Sequence, residues 1–264
     1  MSVPTPAETL QNALNAGRAK AALTAGNAGR LTVLSIMAGA YIALGGLLSV
    51  VIGFGFPEAT AANPALQRLL SGLAFPIGLT LIVLLGGELF TGNNAVLMPP
   101  LMERTTTLAN VLKNWTIVWC GNFVGALAFT WLLAVLPGIT AAEPWHTAVQ
   151  NIAVAKTTMP WFTVFLRAIG ANWCVCLALW LAFSSSTLTQ KVISCWIPVA
   201  AFVALGYEHS IANMFFIPLG MAEGAPVTIG AMFLDNLVPA TLGNIAGGAL
   251  LVGALHTRLH APRR

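Results

Sequence analysis

Two short polar strings interrupt an otherwise apolar chain: Gly86-Gly87-Glu88-Leu89-Phe90-Thr91-Gly92-Asn93 and Gly206-Tyr207-Glu208-His209-Ser210-Ile211-Ala212-Asn213. Both fit Gly-x-Glu-x4-Asn, at an offset of 120 residues from Glu88 to Glu208. A second pair repeats the spacing. Asn114-x6-Gly121-Asn122-x2-Gly125 and Asn236-x6-Gly243-Asn244-x2-Gly247 share one pattern at an offset of 122. Two independent motifs at nearly one offset mark a duplicated unit.

The unit belongs in a membrane. Of 264 residues, 57% are hydrophobic and 8% charged, against about 25% charged in soluble domains. The spacing of the apolar runs predicts spans over 31–56, 69–102, 115–136, 161–183, 192–220 and 236–255. The runs 69–102 and 192–220 exceed the roughly 20 residues that cross a bilayer core. Each therefore divides into a helix, a break (88–94 or 207–213) and a half-helix ending near Pro99-Pro100 or Pro218. The fold class is an all-α membrane protein of six transmembrane helices, the second and fifth broken. Three spans per half is an odd number, so the second half enters from the opposite side, as in inverted repeats. One transport domain covers 1–264, with an N-terminal segment 1–30, a first repeat 31–136 and a second repeat 161–256.

Outside the spans, Thr5-Pro6-Ala7-Glu8 reads as a capping box that opens a helix. Leu10, Ala13, Leu14, Gly17 and Ala21 share one face of that helix, and Gln11, Asn12, Asn15, Arg18 and Lys20 cover the other. It reads as an amphipathic helix at the membrane surface, an anchor or a gate. The stretch holding Glu143, His146 and Lys156 reads as a loop. Lys and Arg count Arg18, Lys20, Arg30, Arg104, Lys113, Lys191, Arg258, Arg263 and Arg264 on the side of the termini, against Arg68, Lys156 and Arg167 opposite. The positive-inside rule puts both termini in the cytoplasm. Basic residues spread singly at span ends argue against nucleic acid. Cys120, Cys174, Cys176 and Cys195 all fall in apolar runs and read as buried small side chains, with no disulfide or metal site. His256 and His260 lie in the basic tail and read as a solvated end.

Half-helix N-termini that converge on a midplane favour an anion. Glu88 and Glu208 then read either as braces that accept freed backbone N–H groups or as proton relays and solute contacts. His209 has no counterpart in the first copy, where Leu89 stands. A function rather than a core role fits that asymmetry, with Thr91 opposite it. The rival class is an intramembrane enzyme built on Glu208, His209 and Ser210, but adjacent residues in one turn do not face one another and no nucleophile elbow or zinc motif is present.

The strings Gly87–Asn93, Gly206–Met214, Asn172-Trp173-Cys174-Val175-Cys176-Leu177 and Thr241-Leu242-Gly243-Asn244 resemble the formate/nitrite transporter family. The resemblance implies an aquaporin-like protomer, a homopentamer in a bacterial inner membrane, and one pore per subunit. The pore would pass small monovalent anions such as formate, nitrite or hydrosulfide. Protonating a carboxylate at pH 7 costs less than driving its anion through an apolar ring, so passage is expected to be proton-linked; acetate is a further candidate, and no cofactor is expected. The resemblance also implies that His209 and Thr91 face each other at the pore centre. Lys156, Asn172, Asn213 and Asn244 match polar residues around that centre, and Phe75, Leu79 and Phe202 match apolar constrictions. Some strings stand closer to a formate branch and the short loop before the last span to a nitrite branch.

Overall fold

A computed structural model describes residues 3–261 and is all helical among them. Ten helices carry the argument: α1 (Pro6–Gly26), α2 (Ala28–Phe54), α3 (Pro64–Leu85), α4 (Phe90–Val96), α5 (Leu108–Val135), α6 (Trp145–Thr158), α7 (Trp161–Phe183), α8 (Leu188–Ala204), α9 (Ser210–Ala222) and α10 (Ile229–His260). Five of them, α2, α3, α5, α7 and α10, are long and apolar enough to cross a membrane. The expected fifth crossing, 192–220, is split between α8, of 17 residues, and α9, of 13, neither of which spans alone.

The two halves are built alike and run oppositely. α2 starts beside α1 and leads away from it. α7 returns, because Asn12 of α1 donates to the Phe183 carbonyl at its far end, at 3.0 Å. Within each half the last helix lies against the first through the Gly-x3-Gly pair. A Cβ on Gly121 or Gly125 would strike Ser35 or Ile36 of α2, and one on Gly243 or Gly247 would strike the Phe165 or Ile169 backbone of α7. Lipid supplies no hydrophobic drive between helices, so close backbone packing supplies the attraction instead.

Three elements differ from the sequence reading. The stretch expected as a loop around Glu143, His146 and Lys156 holds a helix, α6, whose buried positions are the small or medium Ala148, Val149, Ala153 and Thr157. No apolar stripe announced it. The breaks are shorter than expected: the chain is non-helical only from Gly86 to Leu89 and from Leu205, the residue before Gly206, to His209. Thr91, Asn93 and Asn213 thus stand in the first turns of α4 and α9. The prolines also sit elsewhere. Pro218 lies inside α9, and Pro99 and Pro100 lie inside a separate short helix, Met98–Met102.

Helix α1 begins with the anticipated capping box. The Thr5 hydroxyl accepts from the Glu8 N–H at 3.3 Å, while the Thr5 N–H donates to the Glu8 carboxylate at 2.7 Å. Those bonds favour the charged carboxylate and hold Glu8 below the usual carboxylate range. Leu10, Ala13, Leu14, Gly17 and Ala21 are buried, as their periodicity required. The burial is against protein: Gly17 abuts Val96 and Pro100, and Asn110 of α5 donates to the Ala21 carbonyl at 2.9 Å. Arg18 pairs with Glu103 at 2.9 Å. Of the cysteines, Cys176 and Cys195 are buried, Cys174 is half-buried and Cys120 is exposed, all as free thiols. α10 continues as helix to His260, so His256 and His260 are ordered rather than frayed, whereas Arg263 and Arg264 lie outside the described residues.

Candidate functional site

Each break opens with a glycine in the left-handed region, Gly86 at φ 81° and Gly206 at φ 71°. A side chain there is strained, and glycine ends α3 and α8 without that strain. Three non-helical residues follow in each copy before the next helix, and their backbone groups, freed from helical bonding within the membrane, need partners. One asparagine in each half supplies them. Asn122 accepts from the Phe90 N–H at 2.9 Å and donates to the carbonyls of Ser35 (2.7 Å) and Glu88 (2.9 Å). Asn244 does the same for Ser210 N–H (2.8 Å), Ala168 (2.8 Å) and Glu208 (3.1 Å). The main-chain N–H of Glu88 is directed at the Leu34 carbonyl and that of Glu208 at the Arg167 carbonyl.

The glutamate side chains are engaged by side chains, not by freed backbone N–H groups. Glu88 is buried and paired with Lys20 of α1 at 2.7 Å. Glu208 is buried and paired with Lys156 of α6 at 3.0 Å. Each also accepts from the asparagine five residues on, Asn93 or Asn213, at 2.7 Å. Those asparagines donate in turn to Asn114 (2.9 Å) and Asn236 (2.7 Å). Two buried networks, Lys-Glu-Asn-Asn, therefore stand on opposite sides of the centre. Lys156 also lies over the Phe216 ring, 5.5 Å from its centroid, a cation–π contact.

Between the networks the copies diverge. His209 Nδ1 accepts the Ala212 N–H at 3.1 Å, which caps α9. The neutral ring then carries its proton on Nε2, and Nε2 lies 2.9 Å from Thr91 Oγ1 at the start of α4. Both residues are buried. Asn172 of α7 ties the same region together, with its amide nitrogen 3.1 Å from the Thr91 carbonyl and 2.6 Å from the Asn244 carbonyl.

A cavity lies on each side of this contact. One, of about 160 Å³, opens on the α6 side and is lined by Lys156, Glu208, Phe75, Phe202 and His209, with Ser49, Gln67 and Ser71 on its wall. The other, of about 340 Å³, opens on the α1 side and is lined by Lys20, Glu88, Leu79, Leu89, Gly92 and Lys191. Phe75 and Phe202 meet edge to face with centroids 5.7 Å apart, and Phe202 lies against the His209 ring at 5.8 Å. Leu79 and Leu89 are both buried. Apolar side chains thus flank the His209–Thr91 pair toward either cavity.

The residues singled out from the sequence fall into three groups. His209, Thr91, Phe75 and Phe202 meet at the centre. Lys156, Glu208 and Asn213 stand on the α6 side, Glu88 and Leu79 on the α1 side. Asn172 donates to the carbonyls of Thr91 and Asn244, and Asn244 to those of Ala168 and Glu208, so both tie the half-helix starts to α7 and α10. Lys20 and Leu89 were not singled out. Leu89 carried a signal, since it occupies the place of His209 in the first copy; Lys20 carried none, because it lies 136 residues before Lys156 and so falls outside the 120 to 122 offset.

A family model described as formate/nitrite transporter matches residues 7–258. A "probable formate transporter" of Methanothermobacter thermautotrophicus is 42% identical over 243 residues, covering 86% of this chain and 88% of the relative. A solved "FNT family ion channel" superimposes with a TM-score of 0.87 at 32% identity, covering 96% of this chain and 99% of that one. A solved "pentameric formate channel with formate bound" superimposes with a TM-score of 0.78 at 30% identity, covering 89% and 98%.

Proposed function

Because the chain belongs to the formate/nitrite transporter family, a family of membrane transporters and not of enzymes, we propose that it passes small monovalent anions, formate first among them, through the His209–Thr91 contact between its two cavities. The single observation that carries this reading is that contact: Nε2–H of His209 donates to Thr91 Oγ1 at 2.9 Å, which leaves the threonine O–H free to donate, and apolar residues flank the pair.

The barrier decides the mechanism. Carrying a bare carboxylate through an apolar ring costs on the order of 10 kcal/mol, whereas protonating formate at pH 7 costs about 4 kcal/mol. Neutral passage wins. The N-terminal end of α9 draws the anion toward the centre on the α6 side, where Lys156 holds the Glu208 carboxylate in place. There Nε2–H of His209 and the hydroxyl of Thr91 offer it hydrogen bonds. With Nδ1 accepting from Ala212, neutral His209 has a single proton on Nε2, and giving it up would leave an imidazolate. That supports a hydrogen-bond role for His209, with the proton entering from the vestibule alongside the solute. Asn172 and Asn244 hold the breaks in register, and Asn213 and Glu208 fix Lys156. Phe75, Phe202 and Leu79 exclude water and hydrated ions.

The excess of basic residues on the α1 side supports a cytoplasmic location for both ends of the chain in a cell membrane. The pentameric assembly of the formate-bound relative supports the same assembly here. Stopped-flow uptake into proteoliposomes holding a pH-sensitive dye tests the function, comparing formate, nitrite, hydrosulfide and glycerol. Formate flux with matched internal acidification is expected. His209→Phe and Thr91→Val should each lower it about tenfold or more, the worth of one hydrogen bond to a charged group. Nitrite carried faster than formate would move the assignment to the nitrite branch. Flux of glycerol alone would end the anion reading.

A further inference from the structure

The charges lining the two mouths are not balanced alike. On the α6 side the cavity wall holds one cation and one carboxylate, Lys156 and Glu208, and they neutralise each other. Beyond them Arg68 lines an outer depression and Arg167 reaches the Gly206 carbonyl, and both are exposed. On the α1 side the wall holds Lys20, Glu88 and Lys191. Glu88 is taken by Lys20, and the neighbouring Glu103 by Arg18. Lys191 is left half-buried in the cavity wall with no ion-pair partner among the described residues. Arg30 lines a smaller cavity on the other side of the Lys20–Glu88 pair and is exposed.

The placement of Lys191 works against local stability. It is the fourth residue of α8, near the helix end where the macrodipole is positive and a cation is disfavoured. The first turn is already closed by Thr187 and Gln190 in a capping box, so the lysine is not needed to finish the helix. Its charge and the end of α8 add to one positive potential facing the cavity that leads to Leu79 and Leu89.

We propose that Lys191 is the anion-collecting residue of the α1-side mouth, so that the pathway loads anions more tightly from that side than from the side of Lys156. The proposal rests on the anion reading above and adds a direction to it. Lys20 and Lys156 hold carboxylates and position them; Lys191 contributes the uncompensated field. A partly buried charge is screened less than an exposed one, so its effect outlasts that of Arg30 or Arg68 at physiological salt.

The experiment is formate flux in proteoliposomes of defined sidedness, with formate presented to the α1 side or to the α6 side over a range of concentration and ionic strength. Lys191→Gln is expected to raise the half-saturating formate concentration about threefold from the α1 side, the scale of one partly screened charge in a vestibule, and to leave the α6-side value unchanged. Lowering the salt should tighten the wild type and not Lys191→Gln, and Lys191→Arg should restore wild-type behaviour. Lys191→Cys grades the result by charge: a cationic thiol reagent lowers the α1-side value and an anionic one raises it. Wild-type flux with equal shifts on both sides, or with none, overturns the proposal and leaves the transport function standing. A wild type that carries no anion at all overturns both.

Discussion

Asn122 and Asn244 each satisfy three backbone groups with one carboxamide, in a setting where water cannot substitute. Replacing either by alanine leaves one N–H and the carbonyl of Glu88 or Glu208 buried without partners, while the Ser35 and Ala168 carbonyls keep their bonds inside α2 and α7. Asn122→Ala and Asn244→Ala are therefore expected to destabilise the protein by about 2 to 6 kcal/mol each, and by similar amounts, since two unmet buried groups cost about 1 to 3 kcal/mol apiece. Unfolding by denaturant titration in detergent checks this; a loss at one site and none at its twin would break the equivalence. The spacing of these asparagines was visible in the sequence, because duplicated chemistry leaves a duplicated offset. Their partners were not, because main-chain carbonyls carry no residue code. His209 was legible for the opposite reason: it broke a repeat at Leu89.

At the level of elements, α1 and α6 play one part in the two halves, each bringing a lysine to the glutamate of a break. Removing one partner of a buried pair leaves an uncompensated charge, at a cost of about 3 to 5 kcal/mol, whereas removing both can be nearly neutral. Lys20→Met is thus expected to destabilise strongly and Lys20→Met/Glu88→Gln to recover most of the loss in the same denaturant assay. If the double variant were no better than the single one, the pair would not be what fixes α1. The cap and buried face of α1 were legible in the sequence from Thr5, Glu8 and the Leu10 periodicity. α6 was not, since a helix lying among other helices beside a vestibule buries small residues such as Ala148 and Ala153 and shows no stripe. The limits of the breaks were misjudged for a related reason: a half-helix that starts inside protein can carry Thr91 and Asn93 in its first turn, where polar residues read as unwound chain.

Across the whole molecule, large apolar side chains are exposed on the outer faces, among them Trp131, Leu133 and Leu136 at the end of α5 and Leu234 and Leu250 on α10. Such a surface needs lipid or further copies of the chain to cover it. Native mass spectrometry from detergent is expected to give five times the chain mass, and a monomer that retains formate flux would refute the assembly. The docking of α1 also sets an order of events during synthesis. Its contacts reach forward to Glu88, Glu103, Asn110 and Phe183, separations of 68, 85, 89 and 171 residues. α1 leaves the ribosome before all of these partners and is thus among the last helices to find its place. It waits in the aqueous phase, kept helical by its own cap, until most of the chain is inserted. A subunit whose later spans fail to enter the bilayer leaves α1 undocked and open to proteolysis, so the integrity of the leading segment reports the completion of the trailing one.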